Sequence, residues 1–383
     1  MDFLHKSKLL VVDDSAFMRK LISDFFVGNS KVEVVGTARN GKDAIKKIQT
    51  LKPTVVTMDI EMPEMNGLDA LKEIMAQCPV PVVMLSSTTQ RGTENAIAAI
   101  ENGAIDFVAK PSGTISLDLH KVQSELVHKV EQAALVPVSK LKTPSGSKRQ
   151  QEPVPKVNTV IKEPQQQRMS TPATPIPAKL EAVRSQAGWS RTGRKIVLIG
   201  TSTGGPRALQ EVITKIPKSI QAPILIVQHM PAGFTKSLAT RLDQLSEINV
   251  KEAEQGDILQ NGVAYIAPGG YHLKLRKVGT TFGIVLDNQE APRAGHRPSV
   301  DVMFEDISQY NDFDKVAVIM TGMGHDGSNG LKVLKNTGNV IAIAESAETC
   351  IVYGMPKAAV ETQLVDEVAD VDDIAQTIMK YLP

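Results

Sequence analysis

Cysteine is nearly absent from this 383-residue chain, which carries only Cys78 and Cys350. Two thiols so far apart exclude a disulfide framework or a cysteine metal cluster and suit a reducing compartment. No uninterrupted run of about eighteen apolar residues occurs, so direct membrane insertion is not expected. The opening MDFLHKSKLLVVDD reaches acidic residues after a short apolar run, unlike a secretory signal. A cytoplasmic protein is therefore expected. Neither charge sign prevails, with 43 lysines and arginines against 42 aspartates and glutamates. No global field then favours a nucleic acid or an anionic membrane. The carboxyl half has few clustered basic residues and no evident helix-turn-helix, which disfavours a DNA-binding regulator.

What is present divides the chain. Single cores seldom grow beyond about 250 to 300 residues, so two domains are expected. From 137 to 193 the composition turns to proline, glutamine, serine, threonine and lysine, which bury too little apolar surface to offset their ordering entropy. This stretch reads as a semi-stiff linker between domains at 1–136 and 194–383. In both halves short apolar runs alternate with helical patterns: KLLVVDD, TVVTMD and PVVMLSS in the first, KIVLIG, PILIVQ, VAYIAP, KVAVIMTG and VIAIAE in the second. Strands apolar on both faces and separated by helices predict two doubly wound α/β domains with parallel sheets.

In such sheets ligands gather outside the carboxyl ends of the strands. In the first half those ends carry Asp13 and Asp14, Asp59, Ser86 and Lys110. Clustered carboxylates suit Mg2+ bridged to phosphate oxygens. With its charge offset by metal and lysine, Asp59 is a competent phosphoryl acceptor, and a serine hydroxyl can bond the product. Any one of these aspartates is equally compatible with a cap or turn; the set is not.

In the second half GTSTGGP lacks the spacing of a dinucleotide fingerprint or a P-loop. Gly200 to Gly204 instead fits G-x-S-x-G, the elbow that presents a serine hydroxyl on a strand-to-helix turn. Ser202 is also compatible with a simple cap of the helix expected near Pro206. His229 in VQHM and Asp326 in TGMGHDG both follow predicted strands, so the three roles of nucleophile, base and orienting carboxylate are filled. A satisfied core histidine is the bland alternative for His229, and His325 and His296 are its rivals. Candidate oxyanion donors are N–H groups of the glycine-rich TGMGHDG loop and those just after Ser202, beginning with Thr203.

VVDDS, MDIEMPEMNG, MLSS and DFVAKP resemble the receiver domain of two-component response regulators. That resemblance implies phosphorylation at Asp59 by a chemotaxis histidine kinase, and Mg2+ on Asp13, Asp59 and the backbone carbonyl of Glu61, supported by Asp14. It further implies phosphoryl contacts from Ser86 and Lys110, and an aromatic switch at Phe107. IGTSTGGP, VQHMP, GHRPSVD, TGMGHDG and VYGMPKAA resemble the chemotaxis protein-glutamate methylesterase family. This second resemblance implies catalysis by Ser202, His229 and Asp326, with the backbone N–H of Met323 in the oxyanion hole and no cofactor for ester hydrolysis. The expected substrates are methyl-accepting chemoreceptors, demethylated and deamidated under inhibition by the unphosphorylated receiver. A phospho-regulated binding protein without hydrolysis is the alternative from another class.

Overall fold

The computed structural model describes residues 6–110, 117–141, 189 and 193–383. Most of the expected linker lies outside these residues.

The first domain runs β1 (Ser7–Val12), α1 (Ala16–Phe25), β2 (Val32–Ala38), α2 (Gly41–Leu51), β3 (Val55–Asp59), α3 (Gly67–Gln77), β4 (Val82–Ser86), α4 (Gln90–Glu101), β5 (Asp106–Ala109) and α5 (Leu117–Ala133). Its five strands are parallel in the order β2-β1-β3-β4-β5. β3 and β4 are buried along their whole length, which is why they read as unbroken apolar runs. Helices start where short polar side chains satisfy first-turn N–H groups that have no partner within the helix: Ser15, Asn40, Asn66 and Thr89 each accept an N–H of the turn they cap. Instead of continuing as linker from residue 137, Val138–Leu141 forms a short 3-10 turn, with Leu141 buried in the core of the first domain.

The second domain comprises β6 (Lys195–Thr201), α6 (Gly205–Ile213), β7 (Ile224–Gln228), α7 (Phe234–Leu245), β8 (Asn249–Glu252), β9 (Val263–Ile266), β10 (His272–Val278), β11 (Thr281–Asp287), α8 (Val300–Ser308), β12 (Asp314–Ile319), α9 (Ser328–Thr337), β13 (Val340–Glu345), α10 (Met355–Glu361), β14 (Glu367–Ala369) and α11 (Val371–Lys380). Seven strands form a parallel sheet in the order β14-β13-β12-β6-β7-β9-β8. β10 and β11 add an antiparallel hairpin that the run of buried strands did not announce. Ile196, Leu198, Leu225 and Ala317 from the sheet meet Phe304, Ile307 and Leu331 from the helices in one core. Burying each large apolar side chain contributes roughly 1.5–3 kcal/mol before entropy is counted.

Each sheet reverses its direction of growth beside one strand. In the first, β1 lies between β2 and β3; in the second, β6 lies between β7 and β12. These reversals open crevices at the carboxyl strand ends, and the candidate residues sit there.

The two domains meet along α4 and α7. Thr93 Oγ1 and Ser237 Oγ are 2.7 Å apart, and Arg241 reaches Glu101 through Nε at 2.5 Å and Nη2 at 3.2 Å. Phe107 of β5 stacks on Phe234 with ring centroids 4.5 Å apart. Beyond α5, Lys140 Nζ donates to the carbonyls of Ala347 and Cys350, at 2.8 and 2.6 Å.

Candidate active site and phosphoacceptor site

Ser202, His229 and Asp326 follow β6, β7 and β12, three adjacent strands. The main chain holds them in step. His229 N–H donates to Thr201 O at 3.1 Å and Ser202 N–H to Thr321 O at 3.0 Å, extending the ladders past the strand ends. The elbow then turns tightly. Gly204 has φ of +78° and caps α6, and a Cβ there would lie 2.7 Å from Ile351 Cβ. Gln228 braces the turn from beneath, its Nε2 donating to Ser202 O at 2.9 Å and its Oε1 accepting Thr201 Oγ1 at 2.6 Å.

Asp326 is buried, and all its acceptor capacity is directed. Oδ2 accepts His229 Nε2 at 2.7 Å and Val300 N–H at 2.7 Å; Oδ1 accepts Ser299 Oγ at 2.8 Å and Asp301 N–H at 2.9 Å. The amino terminus of α8 thus cradles the carboxylate with main-chain N–H groups and its dipole. Burial disfavours the charge here, but the His229 contact and these N–H donors outweigh it and hold the Asp326 carboxyl well below its ordinary range. Asp301 closes a second layer: its Oδ1 accepts the N–H groups of Gly327 and Gly330, fixing the loop that carries Asp326.

With Nε2 bonded to a carboxylate, His229 carries its proton there and leaves Nδ1 as the basic nitrogen. Nδ1 is buried and has no hydrogen-bond partner among the described residues. The carboxylate–imidazole link of the expected triad is therefore formed, while the imidazole–serine link is open. Catalytic bonds of this kind often close only in the substrate complex. His296 lies parallel to His229, with ring centroids 3.8 Å apart. Burial and the neighbouring His229 push its pKa down to about 4, so a neutral ring covers the His229 imidazole. His325, by contrast, is exposed.

Thr203 follows Ser202 in the elbow, and Met323 follows Gly322 in the loop that packs against it. Neither main-chain N–H donates to another main-chain oxygen among the described residues. Gly322 allows the loops to close, because a Cβ there would lie 2.8 Å from Ser202 Cβ.

In the first domain, Asp13, Asp14 and Asp59 offer carboxylate oxygens within 4.8 Å of one another. Lys110 Nζ bridges Asp13 Oδ2 at 3.0 Å and Asp59 Oδ2 at 2.8 Å. Burial pushes the Asp59 pKa up to about 6 against the pull of Lys110. Burial works against the Lys110 charge too, but Asp59 and Asp13 hold its pKa above the ordinary value. Crowded hard-oxygen donors fit Mg2+, which needs only one or two carboxylates and otherwise keeps its waters. The Glu61 N–H lies 3.4 Å from Asp59 Oδ1. Ser86 ends β4 as expected, but its hydroxyl donates to Gly92 O at 2.7 Å.

Sequence reasoning did not single out Ser299, Asp301, Gln228 or Phe234. Ser299 carried a usable signal, since SVD before VMFEDIS has the form of a helix cap, and the hydroxyl does lie 3.4 Å from Val302 N–H.

Two family profiles match the chain: the response regulator receiver domain over residues 9–120 and the CheB methylesterase over residues 197–378. A protein-glutamate methylesterase/protein-glutamine glutaminase of Halalkalibacterium halodurans is 52% identical over 97% of this chain and 97% of its own. Its counterpart in Bacillus subtilis is 51% identical, again over 97% of both. The CheB methylesterase catalytic domain of Thermotoga maritima is 43% identical and covers 50% of this chain and 100% of its own, with a TM-score of 0.48. The chain belongs to the CheB family of protein-glutamate methylesterases/protein-glutamine glutaminases, with a receiver domain ahead of its methylesterase domain.

Proposed function

We propose that this protein hydrolyses glutamate γ-methyl esters on chemoreceptors in the cytoplasm, deamidates receptor glutamines through the same acyl-enzyme, and is switched by phosphorylation of Asp59. The observation that carries the reading is the Asp326–His229 pair at 2.7 Å, anchored on the amino terminus of α8 beside the Ser202 elbow.

In the substrate complex Ser202 Oγ comes within reach of His229 Nδ1, which takes its proton as the oxygen attacks the ester carbonyl. The developing negative charge lies on the carbonyl oxygen, where the N–H groups of Thr203 and Met323 receive it. Asp326 stabilises the imidazolium without taking its proton. His229 then returns the proton to the leaving methoxide, methanol departs, and a glutamyl ester of Ser202 remains. Water gives a proton to Nδ1 as it attacks that ester; collapse frees the glutamate carboxylate and returns the Ser202 hydroxyl. With a glutamine substrate the first leaving group is ammonia.

In the receiver, Asp59 is the phosphoryl acceptor from a chemotaxis histidine kinase, and Ser86 and Lys110 contact the bound group. Asp13, Asp14, Asp59 and the Glu61 carbonyl would hold Mg2+, which when bound offsets charge on phosphoryl oxygens. Lys110 follows β5 three residues after Phe107, whose ring lies on Phe234. Redirecting Lys110 toward a phosphoryl group therefore changes the strand that contacts the methylesterase domain, and the population shifts toward an open arrangement. The placement of α4 and Phe107 against α7 supports inhibition by the unphosphorylated receiver.

The test is methanol release from methylated receptors by the full chain, with and without acetyl phosphate as phosphodonor. The parent should be stimulated, Asp59→Asn should not, and Ser202→Ala should lose turnover with its melting temperature unchanged. Retained turnover in Ser202→Ala would remove the nucleophile assignment.

A further inference from the structure

Behind the elbow, one threonine ties together the Ser202–Thr203 and Gly322–Met323 segments. Thr321 O accepts Ser202 N–H at 3.0 Å, and Thr321 Oγ1 donates to Thr203 O at 3.0 Å. The same hydroxyl accepts Val352 N–H at 3.0 Å. Two residues on is Met323. Thr321 is in turn fixed by its own N–H, which donates to Glu345 Oε2 at 2.7 Å.

Glu345 is an unusual residue to find there. It ends β13, whose other residues are all apolar, and it is 1% exposed. Its second oxygen accepts Thr349 Oγ1 at 3.0 Å, and the Thr349 hydroxyl also lies 3.1 Å from Val371 N–H. A buried carboxyl costs free energy unless its oxygens are used, and both are. The one at Thr321 holds a donor that no neighbouring carbonyl takes, because β12 ends at Ile319 and the ladder to β13 has stopped.

We propose that Glu345 is a positioning residue for hydrolysis: by accepting the Thr321 N–H it fixes the separation of the Ser202–Thr203 and Gly322–Met323 segments, and hence the aim of both oxyanion donors. The proposal rests on the reading of Ser202 as nucleophile and deepens it. Such donors act only where the oxyanion will form, so displacement of one of them costs turnover more than substrate affinity.

The test uses the full chain with acetyl phosphate and methylated receptor, and three variants. Glu345→Gln keeps an acceptor for Thr321 and should retain kcat within about threefold. Glu345→Leu leaves the Thr321 N–H buried and unpaired; kcat should fall by about 30-fold or more while KM stays within about twofold, approaching the roughly 10²–10³ lost when one oxyanion donor is removed outright. Glu345→Asp retains the carboxyl group but falls short of Thr321, and its kcat should fall by about tenfold. Labelling of Ser202 by a fluorophosphonate should slow in the same order, since that adduct also places an oxygen in the hole. If Glu345→Leu does not fold, Glu345→Asp decides. Unchanged kcat in Glu345→Asp or Glu345→Leu, with only a lower melting temperature, overturns the proposal, and so does a Glu345→Gln as slow as Glu345→Leu. Failure of the parent to label at Ser202 would instead overturn the nucleophile reading.

Discussion

At the scale of single residues, His229 uses its ring in the opposite sense from the chymotrypsin triad, where Nδ1 faces the aspartate and Nε2 the serine. Here Nε2 faces Asp326, at 2.7 Å. Nitrogen NMR of the labelled parent, read where the imidazole is neutral, should show a bare Nδ1 and a protonated Nε2. Asp326→Asn can donate to Nε2 and so reverse the tautomer; kcat should drop by about 10³ to 10⁴ as the base is lost, and the two nitrogen signals should exchange character. His296 yields a second prediction. Its folded pKa of about 4 lies below the ordinary 6.5, so the unfolded chain binds the extra proton between those values. The neutral ring's contribution to stability is thus complete above pH 6.5, declines as the pH falls, and is fully lost below about 4. A shift of this size corresponds to at most about 3–4 kcal/mol, and less because the ring is partly exposed. Urea unfolding of the parent and His296→Phe at pH 7 and pH 4 should show the parent losing more stability by that margin.

At the scale of elements, what the sequence displayed and what it hid have different physical origins. Strands buried on both faces, such as KIVLIG and PILIVQ, stand out as apolar runs that stop at a polar residue, so Ser202 and His229 were legible as strand-end residues, whereas Asp326 lies in a loop seven residues beyond the end of β12. The hairpin of β10 and β11 was not, because only one side of it, with Leu273, Leu275, Phe282 and Ile284, enters the core, so it offers no unbroken apolar run of the kind that marked the other strands. β2 was missed for a similar reason: four of its seven residues are only half-buried. The cradle of Asp326 was also hidden, since Ser299 and Asp326 are 27 residues apart and only packing of α8 against α9 brings them together. Gly322 shows how little slack the elbow has. In Gly322→Ala the new methyl would lie 2.4 Å from Met355 Sδ and 2.8 Å from Ser202 Cβ. The methionine can move, but the serine cannot without leaving its register. We expect a stability loss of about 1–3 kcal/mol and a fall in kcat of about tenfold or more, read from thermal unfolding and methanol release.

At the scale of the whole molecule, the proposed inhibition and the proposed chemistry would share α7, which begins with Phe234 five residues after His229. Its outer face carries Ser237 and Arg241 toward α4. Arg241→Glu would set a like charge against Glu101. Because the pair is partly exposed, its loss should shift the balance by only about 0.5–1 kcal/mol, raising methanol release without phosphodonor by about two- to fivefold. No change would mean that α4 and α7 do not hold the inhibited arrangement. The order of strands has one more consequence, for the way competence returns after denaturation. β6 and β7 are near neighbours in the chain, but Asp326 lies 97 residues beyond His229 and enters from the opposite side of β6. Such long-range closure is slow relative to local pairing. A refolding chain can thus regain most of its helix signal while still chemically inert, and hydrolysis should be among the last properties recovered.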